Sequence, residues 1–295
     1  MTRINIPGLV DLLTVEDVDA IASVAADARF DRRYERRGPL LNRVILGRVR
    51  SILRLGDQPL PPVAAHGASR PLASQVETRA RLAEAVKKGI AGPDIEALGS
   101  YVRGDGDEED GGILAQRAVG RLFDPAYRAD KESWSAAEVL RDAPSSFNPV
   151  RRAVWMLTGR IASARATLAA RVGQNPTGLH ATGVAIHNLV EGFRRMRAIY
   201  ADPAQRRQRS VASAVAASLV APGQVLRQPL VAGTCPAGSF SEDTLVLLRL
   251  ERANARHPGY RTAFMSESWS WCPAQDWLPA LLEAVWREAI GRETK

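Results

Sequence analysis

The chain has 295 residues, 45% hydrophobic and 24% charged, enough to bury a substantial core and too evenly mixed for wholesale disorder. No apolar run approaches the roughly 20 residues that span a bilayer, and the opening MTRINIPGLVDLL lacks the order of a signal peptide, so a cytoplasmic protein without a membrane span is expected. The formal charge is +8, but all except four of the 40 basic residues are arginines scattered along the chain, so nucleic acid is not the expected partner.

Thr14 to Asp17 matches a capping box and predicts a helix to about Arg29. Leu40, Leu41, Val44, Ile45, Val49, Ile52 and Leu53 recur at helical spacing. Residues 58–70, with Pro59, Pro61, Pro62 and Gly67, read as a loop, and further helices are predicted at about 74–88, 93–103 and 112–123. The acidic run 104–111 lacks the spacing of a calcium loop and reads as a solvated connection.

Asn148-Pro149 predicts a helix start, an N-cap followed by proline in the first turn, with the helix running to about Val172. Asn175-Pro176 resets the chain, and a second long helix carries Val184, Leu189, Val190, Phe193 and Met196 on one side. A helix at about 204–220 ends at Ala221-Pro222-Gly223. Val225 to Val231 and Leu245 to Leu250 read as short strands, the one clear β signal, and Pro273 to Ile290 closes the chain as an amphipathic helix. The fold class expected is mainly α with a small β element.

Two cysteines, Cys235 and Cys272, are too few for a disulfide scaffold, and the four histidines form no zinc pattern. Cys272 stands just before a predicted helix, where first-turn amides and the helix dipole favour a thiolate. Its residue type and position fit either a metal ligand or a structural cysteine beside Trp269 and Trp271. Cys235 lies in a predicted turn and reads as structural.

The order Val225-Leu226-Arg227-Gln228-Pro229, Thr244 to Leu248, Ala253-Asn254, Ala263-Phe264 and Trp271-Cys272-Pro273-Ala274, followed by a helix, resembles the haem-binding end of a cytochrome P-450. The resemblance covers about residues 205–290, and 112–200 more faintly. It implies a reduced cytochrome P-450-like architecture: a single haem-binding domain over 1–295, with an N-terminal region 1–72, a helical body 73–204 and a haem-thiolate region 205–295. It further implies haem b (iron protoporphyrin IX), with Cys272 as iron ligand and Arg227 on a haem propionate. By its residue type alone, Arg227 could equally be a surface arginine.

On the distal side the resemblance points to Thr182, with His180, His187 and Asn188 as further candidates. Ala181 stands where the family has an acid, which leaves the proton relay incomplete. Val215 to Leu219 lacks the family's Glu-x-x-Arg pair, and Ser268 and Ser270 replace the usual glycine and basic residue of the cysteine loop. The implied activity is therefore peroxide- or hydroperoxide-driven oxidation or rearrangement of an apolar small molecule, or monooxygenation with a redox partner. The alternative is a haem-free, non-catalytic helical protein of the same descent that binds a protein partner; separately, the chain's shortness for the family leaves room for a partner subunit that completes the pocket.

Overall fold

The computed structural model describes residues 2–53, 92–145, 154–155, 157–173, 175–268 and 271–291. The readings at 58–70, 74–88 and Asn148-Pro149 lie outside them. Two compact units emerge, one of Met1–Arg79 with Ala221–Gln275, the other of Ala80–Val220 with Asp276–Lys295.

The first unit is built on a sheet. Strands β1 (Thr2–Ile6) and β2 (Val10–Val15) form an antiparallel hairpin whose turn holds Gly8 at φ 73°, a left-handed conformation that glycine adopts without strain. β2 does not continue into a helix at Thr14, as the capping-box reading had it. Thr14 pairs with Leu247, and the helix Val18–Ala26 starts two residues past the strand, with Asp17 as N-cap accepting the Ala20 amide at 2.9 Å. Beyond it lie β3 (Phe30–Asp31), the helix Leu40–Leu53 and the strands β4 (Val225–Pro229), β5 (Gly233–Cys235), β6 (Gly238–Phe240) and β7 (Leu245–Leu248).

The main sheet has the order β1-β2-β7-β4-β3, with β2 and β7 parallel and the other pairs antiparallel. One face packs Leu13, Val15, Val246 and Leu248 against Ile21, Val24, Phe30 and Leu250. On the other, Leu12, Leu226 and Leu245 meet Ile45, Leu46 and Val49 of Leu40–Leu53. Buried Asn42 bonds the Asp11 and Asp243 carbonyls at 2.7 and 2.9 Å, tying that helix to two parts of the chain far apart in sequence.

The second unit is helical: Gly92–Arg103, Glu108–Gly120, Lys131–Ser145, Arg160–Arg171, Pro176–His180, a π-helical turn Ala181–Ala185, Ile186–Ala201, Pro203–Gln208, Val211–Ser218 and Leu278–Gly291. The acidic run 104–111 is not wholly a loop. Asp107 and Asp110 form a reciprocal capping box that starts Glu108–Gly120 inside it. The helix Lys131–Ser145, absent from the sequence reading, is opened by Asp130 and Ser133, each side chain taking the other's amide. Gly159, at φ 63°, interrupts the helix expected to run to Val172, so Arg160–Arg171 is a separate element. The single helix read at 204–220 is two helices, because Ser210 caps the second by accepting the Ser213 amide.

Ile186–Ala201 is the axis of this unit, packing on Gly92–Arg103, Glu108–Gly120 and Val211–Ser218. Phe193 and Met196 from it, with Val285 and Trp286 of Leu278–Gly291, are almost fully buried. Gly192 permits the close approach to Val211–Ser218: a Cβ there would sit 2.8 Å from the Ser218 carbonyl oxygen, below any real contact. Gly192→Leu is therefore expected to lower stability by about 1–3 kcal/mol through overpacking, read as a fall in urea midpoint at unchanged slope.

Candidate functional site

The loop that carries Cys272 is fastened at both ends within the first unit. After Leu250–Arg256 and the short helix Tyr260–Ala263, the chain buries Phe264 and turns through Met265 at φ 51°. The Ser268 amide closes back on the Met265 carbonyl at 2.8 Å, and the Cys272 amide donates to the Phe264 carbonyl at 2.7 Å. Asn254 anchors the approach, its side-chain oxygen accepting Thr262 Oγ1 at 2.8 Å and the Gly259 amide at 3.2 Å. Cys272 is thus presented by a closed loop whose ends are fixed by main-chain bonds.

Cys272 is an exposed residue, and its sulfur receives the Ala274 amide. The turn that follows, Pro273–Asp276, is a 3-10 helix. Neighbouring atoms crowd the thiol, and their desolvation pushes its pKa up despite the Ala274 bond, so the short turn does not favour the thiolate in the bare protein as the helix-dipole reading had it. A bound cation would reverse that balance, since it binds the thiolate alone. A thiol with one amide donor, held on a fixed backbone, fits a metal-ligand role. Alkylation of Cys272 is expected to be slow at neutral pH and to accelerate only above the ordinary thiol range, measurable by mass spectrometry across a pH series.

Arg227 lies on β4 opposite Val246 and is not a surface residue: its side chain is fully enclosed. Its Nη1 donates to the Leu226 carbonyl at 3.1 Å. Desolvation, reinforced by the charge of Arg32, brings its pKa down to about 10, while Tyr34 and Asp31 oppose that shift. An enclosed guanidinium beside a second cation gains from an anionic neighbour, which fits a carboxylate partner in charge. Cys235, on β5 rather than in a turn, directs its sulfur to the Gly238 carbonyl at 3.4 Å across the β5–β6 hairpin.

The other four candidates lie on or beside the long helix of the second unit. Asn175 accepts the Thr177 and Gly178 amides, as its sequence predicts, and Pro176 occupies the first turn. The π-helical turn then begins at Ala181. Such a turn displaces carbonyls from their usual i+4 donors. Buried Gln116 satisfies one of them: its Nε2 donates to the Thr182 and Ser133 carbonyls, both at 3.0 Å, while its Oε1 accepts Ser133 Oγ at 2.7 Å. Thr182 is fully buried and its hydroxyl donates to the Gly178 carbonyl at 2.8 Å. The Tyr127 phenol is enclosed beside Thr182 and Ser133, and burial pushes its pKa up to about 12.

His187 Nε2 lies 3.0 Å from the Ala137 carbonyl, which can only accept, so this nitrogen carries the proton. Its ring packs on Trp134 at 5.1 Å between centroids. His180 is exposed and Asn188 half-buried on the same run of helix. Thr182 and His187 are thereby committed to partners inside the unit. Gln116, Ser133 and Tyr127 complete this polar cluster and were not legible as such, because a glutamine between Ala115 and Arg117 gives no sign of burial.

Burial holds the His187 imidazole down to about 4, so it is neutral at pH 7. The unfolded chain takes up a proton near pH 6.5 that the folded chain refuses until about 4. Stability present above pH 6.5 is therefore expected to fall as the pH drops through this window. His187→Gln, which keeps a donor for Ala137, should flatten that part of a denaturation-versus-pH curve.

No family profile matches the chain, and no curated protein does. Solved structures do. One described among unusual cytochrome P450-like monooxygenases of microbial secondary metabolism aligns over 98% of this chain and 87% of its own, with TM-score 0.55 and 11% identity. The hybrid P450 OxyBtei(BC/FGvan) aligns over 99% and 86%, with TM-score 0.51 and 16% identity. CYP105N1 from Streptomyces coelicolor A3(2) aligns over 96% and 82%, again with TM-score 0.51 and 16% identity.

Proposed function

Because the chain has a reduced cytochrome P450-like fold, mainly α with a small β-sheet, we propose that it is a haem-thiolate oxidoreductase acting on an apolar small molecule in the cytoplasm, with residues 1–295 serving as one haem-binding domain. The observation that carries this reading is the exposed Cys272 on a loop closed by its own amide to Phe264. Cys272 is the proposed iron ligand of haem b and Arg227 the proposed partner of a haem carboxylate. The latter contact requires the enclosure around Arg227 to open.

When bound, haem held by a thiolate supplies oxidative chemistry, because the ligand pushes electron density onto iron. The chain's own residues then decide which co-reactant suits it. Among the distal candidates, the Thr182 hydroxyl is donated to the Gly178 carbonyl and His187 stays neutral with its Nε2 proton on Ala137. Ala181 has no group to hold a proton. Of the other two distal candidates, His180 is exposed and Asn188 half-buried. A helix so poor in mobile protons favours a peroxide or hydroperoxide, whose oxygen–oxygen bond is already formed, over dioxygen delivered with electrons from a redox partner.

The test is the absorption spectrum of protein expressed with haem precursor, ferric and then reduced under carbon monoxide. Wild type is expected to bind haem with a strongly red-shifted carbonyl band, and Cys272→Ala to lose that shift. Absence of haem from both, after reconstitution as well, would sink the enzyme reading and leave the haem-free, partner-binding alternative.

A further inference from the structure

Among the described residues, the main sheet of the first unit ends at β1. β1 pairs with β2 on one side and with no described strand on the other, and all five of its residues are exposed. Its alternation sends Arg3 and Asn5 to the face where Arg3 bonds Asp11 and Ser239. Thr2, Ile4 and Ile6 share the opposite face with Leu12, which packs beneath Leu40–Leu53.

That helix is docked on the hairpin turn: the Leu40 and Leu41 amides donate to the Gly8 and Leu9 carbonyls at 3.1 and 2.8 Å. The result gathers Ile4, Ile6, Leu9, Leu40, Leu41 and Val44 in one place, each between 38% and 58% exposed. They are six of the eleven exposed large hydrophobic side chains among the described residues. A patch of this kind, beside a strand edge with no described partner, has the chemistry by which chains associate.

We propose that this surface binds a second copy of the chain, β1 pairing antiparallel with β1 across a two-fold axis at Ile4. The strand is self-complementary in that register. Ile4 faces Ile4, Thr2 faces Ile6, and Arg3 faces Asn5, so no like charges oppose each other. An axis at Arg3 would set two arginines face to face.

A lipid surface suits the patch less well. Hydrocarbon cannot satisfy the open main-chain edge, and the exposed charges bordering the patch have both signs, Arg36 and Arg43 against Glu242 and Asp243.

Sedimentation equilibrium and hydrogen exchange of the full chain over a concentration series test this. Wild type is expected to approach twice the 32.0 kDa chain mass, with the amides of residues 2–6 gaining protection as concentration rises. Ile4→Lys, at an exposed site, sets two lysines opposite each other and should raise the dissociation constant by about tenfold or more, with the circular dichroism unchanged. Val231→Lys, exposed but on another part of the unit, should leave it unaltered. A wild type that stays monomeric overturns the proposal, and if it also sediments with anionic vesicles the patch belongs to lipid. A dimer whose β1 amides gain no protection overturns it independently of any variant.

Discussion

The parallel pairing of β2 with β7 is the constraint on which the first unit depends. It joins Leu12–Val15 to Leu245–Leu248, chain segments separated by most of the sequence, and closing so long a loop is repaid only once the apolar side chains of both strands are covered. All four residues of β7 are buried, and it is flanked by β2 and β4. From that fixed strand β4 takes its register, which places Arg227 inside, and Leu250–Arg256 takes its starting point, which sets the path to Phe264 and so to Cys272. The thiol is positioned by a chain of main-chain commitments that begins at the sheet.

The helical unit obeys a different rule. Its axis is a helix that departs from regular geometry, and the departure is stabilised by a side chain from another helix. Gln116 gives both amide protons and its oxygen to Lys131–Ser145 and the π-helical turn, so three elements share one buried polar group. In a low-dielectric interior such a network is worth most when every member is satisfied, and it specifies one arrangement of the helices.

What could be read in the sequence follows the same division. Asn175-Pro176, the apolar stripe of Leu40–Leu53 and the strands of the C-terminal third are local signals, and each appears where its residues place it. β2 was hidden because it is covered on both faces, so Val10-Asp11-Leu12-Leu13-Thr14-Val15 shows no clean alternation while Thr14 to Asp17 imitates a cap. β1 was hidden for the opposite reason: with every residue exposed, it carries no burial pattern at all. Cys272 could be singled out from its neighbours in the chain. The desolvation that raises its pKa could not, because that depends on which atoms the fold gathers around the sulfur.

The π-helical turn has one more consequence. Each residue of an α-helix turns the chain by about 100°, and a π turn holds one residue more than an α turn needs. Ala181–Ala185 therefore acts as a stored insertion: the helix on either side keeps its own phase, and the extra residue is absorbed locally rather than passed along as a rotation of everything that follows. Without it, Ile186, Leu189, Val190 and Phe193 would come round to different neighbours relative to Thr182. The packing of the whole second half of the helix is, in that sense, a matter of angular bookkeeping settled in a single turn.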